Sequence, residues 1–189
     1  MAFMSDEDVA RMGFAHVGRN VKLSTRASFY DTDRISIGDN SRIDDFCVLS
    51  GRVEVGRNVH IAVFCNVAGG RAGVRMDDFS ALAYGCHVIA QSDDYSGNAM
   101  TGPTVPSKYK NETSARITIG KHALMGTNTV VLPGVTIHDG VSSGAGTLFI
   151  RSPEAWTIYV GSPARALGPR SQAILALERQ YLADESEPG

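Results

Sequence analysis

The chain has 189 residues, 43% of them apolar, with 18 basic against 20 acidic side chains and a formal net charge of −2. That balance, with a pI near 6.2, gives no electrostatic case for nucleic acid or an anionic membrane as partner. No apolar run nears the roughly 20 residues that span a bilayer, and the start of the chain lacks the basic and apolar regions of a signal peptide, so a cytoplasmic location is expected.

The first element predicted is a cap over residues 1–16. Ser5-Asp6-Glu7-Asp8 followed by Val9 and Met12 has the form of a helix start, and Gly13 ends the helix. From Val17 to Phe149 apolar residues recur every six positions: Val17, Leu23, Phe29; Ile37, Ile43, Leu49; Val55, Ile61, Val67; Met76, Leu82, Val88; Ile119, Met125, Val131; Ile137, Ser143, Phe149. Four residues after most of these stands a mostly small residue, and Cys47, Cys65 and Cys86 all fall in that second column. An internal repeat of this kind outweighs other local signals. Period-two strands place apolar residues six apart on one face only if turns intervene, which a three-sided coil provides. About six rungs of roughly 18 residues, some 4.8 Å apart, make a prism on the order of 25–30 Å tall. The cysteines then read as small inward fillers; their odd number and the expected cytoplasmic setting argue against disulfides.

Beyond Ile37 the repeat departs from its period twice. Gly69-Gly70-Arg71-Ala72-Gly73 absorbs three extra residues, and about 25 residues intervene between Asp93 and Ile119. That second segment mixes Tyr, Pro and Lys, so a long ordered loop over about 94–118 is predicted inside a repeat domain of 17–154. Residues 155–189 form a C-terminal segment, in which Ile174, Leu177, Tyr181 and Leu182 stand at helical spacing.

Several of these stretches together resemble the hexapeptide-repeat acyltransferases: the array itself, Ile119-Gly120-Lys121-His122-Ala123-Leu124-Met125-Gly126-Thr127, Val131-Leu132-Pro133-Gly134-Val135, Gly144-Ala145-Gly146 and Gly161-Ser162-Pro163-Ala164-Arg165. The resemblance covers nearly the whole chain. It implies a left-handed parallel β-helix, a hand that periodicity does not give, since parallel crossovers are nearly always right-handed. It also implies a homotrimer with active sites between subunits, and acyl-CoA, most simply acetyl-CoA, as donor. Ser92 to Ala99, Gly102 to Pro106, Lys108 to Asn111 and Trp156 to Gly161 are similar to the subgroup that includes the anthrose-pathway N-acyltransferases. Those enzymes N-acylate nucleotide-linked amino-dideoxy sugars for surface polysaccharides such as O-antigen.

The O-acetylating relatives carry a catalytic histidine where the long loop begins, and the matching position here is Asp93. A sugar hydroxyl needs a general base, whereas an amine attacks a thioester once it has lost its ammonium proton. A carboxylate that orients the amine suits the second reaction. Asp93 is therefore the first catalytic candidate, followed by Asp94, whose alternative is a turn cap, and by His87, an outward residue that could act as a base. For the donor the resemblance implies Thr127, Ala145, Arg151 and Arg165, with Trp156 stacking on adenine or closing the prism. His16, His122 and His138 read as surface residues, and no metal site is expected. Two other readings compete: a sugar or antibiotic O-acetyltransferase, and a non-catalytic β-helix scaffold.

Overall fold

A computed structural model describes residues 2–186 of the chain. It is an all-β coil, a left-handed parallel β-helix, closed by one short helix below and by a hairpin above, with a longer helix along its side. Residues of the six-residue column point inward on every rung, and their burial drives the fold. Of the first column only Val17 and Phe29, on the lowest rung, stay partly exposed; of the second column only Val21 and Ala27, on the same rung, and Ser92 do.

Three faces result. One stacks Lys22–Leu23, Arg42–Ile43, His60–Ile61, Ala81–Leu82, Leu124–Met125, Ser142–Ser143 and Thr157–Val160. The other two are joined into one sheet because the strands Val48–Val55 and Asn66–Met76 bend from one face to the next. Each rung hydrogen-bonds only to its neighbours, as in Arg42↔His60 and Leu124↔Ser142, so every rung depends on the one beneath it.

The glycine-rich insertion becomes a bulge. Ser50 pairs with Ala68, Gly51 with Gly70 and Val53 with Val74, so the pairing register shifts by three residues across the bulge and the inward column resumes beyond it. The coil resumes after the long loop at Ile117, two residues before the first repeat position read from the sequence, because Ile117 also packs inward against Val74.

Two features lay outside the sequence reading. A seventh strand, Thr157–Val160, adds a further parallel pairing to Ser142–Ser143, and Arg165–Pro169 returns antiparallel to it. The hairpin covers the end of the prism and satisfies backbone groups that an open rung would leave unpaired.

At the bottom, Ser5 caps the helix Asp6–Arg11 by accepting the Asp8 backbone N–H, and Gly13 follows in the left-handed region. After the hairpin, the helix Ile174–Ser186 runs down the side of the coil. Its Glu178 bonds to Lys121 and His122, the Tyr181 ring meets Phe79 edge-on, and Glu185 reaches Arg57 and Asn40. This helix buries His122 almost completely, which corrects the reading of His122 as a surface residue.

Candidate active site

The long loop leaves and rejoins the coil through a narrow neck. Gln91–Ser92 pairs antiparallel with Thr113–Ser114, and the Ala115 N–H donates to the Ala90 carbonyl at 3.0 Å. Asp93 is the first residue beyond that neck. It is half-buried, and its Oδ1 accepts the Gly102 N–H at 3.3 Å. The side chain lines a cavity of about 410 Å³ with Gln91, Ser92, Gly102, Pro103, Lys110 and Glu112.

Asp94 behaves differently. Its carboxylate accepts the Ser96 backbone N–H at 2.8 Å, a turn cap that holds its pKa below the usual aspartate value, and it does not line the cavity. His87 projects from the outside of its strand, flanked by Asn66 and Val130, and is also absent from the cavity wall. Of the three catalytic candidates, only Asp93 faces this space.

Three charged or polar residues on the wall had no assigned role in the sequence reading. Lys110 Nζ lies 2.6 Å from Glu112 Oε1, and Gln91 Nε2 donates to Glu112 Oε2 at 2.9 Å. The Lys110 ammonium holds the Glu112 carboxyl below its usual range. Lys110 belongs to one of the stretches carrying the family resemblance; Gln91 and Glu112, 21 positions apart and at neither inward column, left no periodic trace.

One corner of the prism carries the donor candidates with small side chains. Tyr84, Thr127 and Ala145 stack there on successive rungs, joined by the Asn128 N–H to the Tyr84 carbonyl and the Gly146 N–H to the Thr127 carbonyl. Ala145 is exposed, and Gly146, at φ +70°, has open space on its side-chain face. The corner thus admits an extended chain lying flat against the backbone.

Beyond it, at the top of the coil, Arg151 and Arg165 meet on the wall of a second cavity of about 350 Å³, with Phe149, Tyr159 and Pro163. Two exposed guanidinium groups at one cavity can pair with phosphate oxygens. Trp156 is not brought to them. Its ring packs over Gly140, its backbone N–H donates to the Asp139 carbonyl, and the ring stands 6.4 Å from the His122 ring, so it closes the side of the prism.

The cysteines are buried in one inward column, and the Cys65 thiol beside it, with burial, pushes the Cys47 thiol pKa up. Among the described residues, no group of three or more His, Cys, Asp or Glu is placed to hold a metal ion. His60 is anchored by Asp44 at 2.9 Å, and Asp44 also pairs with Arg42.

Residues 34–69 match the family model for the bacterial transferase hexapeptide (six repeats). The chain is 41% identical over 184 residues to a dTDP-4-amino-4,6-dideoxy-D-glucose acyltransferase of Escherichia coli, covering 96% of this chain and 95% of that one. The chain belongs to the hexapeptide-repeat acyltransferases. Solved structures agree. A variant of AntD, an N-acyltransferase from Bacillus cereus in complex with dTDP-4-amino-4,6-dideoxyglucose and coenzyme A, superposes with a TM-score of 0.96. It is 42% identical and covers 97% of this chain and 98% of that one. AntD with dTDP and 3-hydroxybutyryl-CoA gives 41% identity, the same TM-score and 98% coverage of each chain. This acyltransferase is a CoA-dependent N-acyltransferase; the cavity at Asp93 is its candidate acceptor end, and the Thr127–Ala145 corner with the cavity at Arg151 and Arg165 its candidate donor end.

Proposed function

We propose that this enzyme transfers an acetyl group from acetyl-CoA to the 4-amino group of dTDP-4-amino-4,6-dideoxyglucose. The observation that carries the reading is Asp93, held at the loop neck on the wall of the acceptor cavity. The amino sugar arrives as an ammonium, which the carboxylate attracts and orients. Once that proton has passed to water, the neutral nitrogen attacks the thioester carbonyl, the C–N bond forms, the C–S bond breaks, and nitrogen gives up its second proton. The departing CoA thiolate takes up a proton, leaving an amide and free CoA. Asp93 serves by orientation and by stabilising the positive charge that grows on nitrogen.

In the same reading the pantetheine arm of CoA follows Thr127 and Ala145, and Arg151 and Arg165 bind its phosphates. The enzyme is cytoplasmic and supplies a building block for a surface polysaccharide such as O-antigen, with neither membrane nor nucleic acid as partner. It acts as a homotrimer with sites between subunits; the exposed Phe46, Phe64 and Tyr84 offer apolar surface for a neighbouring copy to cover. The test is direct: mass spectrometry of the amino sugar after incubation with acetyl-CoA or 3-hydroxybutyryl-CoA. Acetyl amide formation with release of CoA is expected, and a sugar left unmodified with both donors contradicts the proposal.

A further inference from the structure

Beyond Ile37 the repeat is interrupted in two places, and the fold brings both interruptions to one point. In the three-residue insertion, Gly70 sits at φ +51°, and a Cβ there would come within 2.9 Å of Gln91 Oε1. Gln91 therefore lies directly on the bulge. Its amide donates to Glu112 in the long loop, and Glu112 simultaneously takes the ammonium of Lys110. Lys110 and Glu112 keep only 12% and 23% of their side-chain surface, and Arg71 of the insertion adds to the field that keeps Glu112 ionised. Partly burying a lysine and a glutamate costs desolvation and side-chain entropy, and such a pair is weak evidence for stability. A loop that only covered apolar surface would have no use for it.

What the pair does is fix geometry. Gln91 stands two residues before Asp93, in the segment that also pairs with Thr113–Ser114. We infer that Glu112 is a positioning residue of the acceptor site: by gripping Gln91 and Lys110 together it holds the neck of the loop against the bulge and so aims the Asp93 carboxylate. The Lys110 charge also cancels that of Glu112, which leaves Asp93 as the net negative charge on the cavity wall. The inference rests on the proposed reading of Asp93.

The experiment measures acetyl transfer to the dTDP-linked amino sugar by Glu112→Ala, Glu112→Gln, Asp93→Asn and the double variant Glu112→Ala/Asp93→Asn. Rates are taken at raised pH, where Asp93→Asn retains turnover. A displacement of about 1 Å can cost on the order of 10²-fold in rate, so Glu112→Ala should lower kcat at least about tenfold, with the KM for acetyl-CoA unchanged. Glu112→Gln, which still accepts from Gln91 but loses the ion pair, should fall between it and wild type. In the Asp93→Asn background the loss from Glu112→Ala should disappear, because its effect runs through that carboxylate. Unchanged turnover in Glu112→Ala, or an equal loss in both backgrounds, overturns the inference. If Glu112→Ala proves unfolded, Glu112→Gln carries the same comparison. Full activity of Asp93→Asn at every pH would instead overturn the Asp93 reading itself.

Discussion

Asp93 is tied to Gly102: its carboxylate accepts the Gly102 backbone N–H at 3.3 Å, which folds the start of the loop back over the candidate acceptor cavity. The neighbouring Asp94 spends its carboxylate on Ser96. Adjacent residues of the same type are thus given different work by the backbone alone.

That division predicts unequal consequences. Asp94→Asn should leave turnover within about twofold of wild type and the melting temperature close to wild type, because only one exposed hydrogen bond is lost. Steady-state kinetics and a thermal melt check it; a severe kinetic defect would show that Asp94 turns into the cavity with substrate bound.

Arg151→Ala and Arg165→Ala should each raise the KM for acyl-CoA by roughly tenfold, the loss of one charge-assisted contact of about 1.5 kcal/mol. The KM for the sugar and kcat should change little, because the lost contact is remote from the reacting atoms. An unchanged acyl-CoA constant in both variants would place the donor phosphates elsewhere.

Gly140→Ala tests the placement of Trp156. A Cβ at this position would lie 2.3 Å from the indole ring, and the backbone is at φ +66°. The variant should lose about 2 kcal/mol or more, with a shift in tryptophan fluorescence, Trp156 being the single tryptophan of the chain. Wild-type stability would mean that the ring does not pack over this turn.

The C-terminal helix should loosen in acid. Burial works against the Glu178 carboxylate, but hydrogen bonds from Lys121 and His122 outweigh it and hold its pKa below the usual glutamate value. A carboxyl depressed in the folded state adds stability above its unfolded pKa of about 4.3 and loses it as pH falls through the folded value. Amide exchange over residues 174–185, corrected for intrinsic rates, should therefore rise below about pH 4, and Glu178→Gln should remove most of that dependence. Equal protection in acid and at neutral pH contradicts the clasp.

Much of the fold is written in the sequence because burial on a triangular coil has a strict period. Leu23, Ile43, Ile61, Leu82 and Met125 need only their spacing to be recognised as one inward column, and Cys47, Cys65 and Cys86 another. The final strand and its antiparallel return were not legible, since Trp156 to Pro169 pairs as a hairpin with a register shift and carries no six-residue beat. His122 was misread because its burial comes from Glu178, Phe79 and Trp156, none of which is near it in sequence. At the acceptor site Asp93 could be found through the family resemblance, whereas Glu112 acts through partners that only the folded loop brings together.

The most direct test of amine acylation at Asp93 is the pH dependence of kcat for wild type and Asp93→Asn, with dTDP-4-amino-4,6-dideoxyglucose and with its 4-hydroxyl counterpart. Asp93→Asn keeps the side chain's shape and removes its charge, so turnover should fall by about 10²-fold near neutral pH, the scale of one lost positioned polar group. Raising the pH should restore part of it, because more of the amine is then neutral without help, and the hydroxyl sugar should not be acylated by either protein. Robust transfer to the hydroxyl sugar, unaffected by Asp93→Asn and lost in His87→Ala, would contradict the account and assign O-acylation with His87 as base.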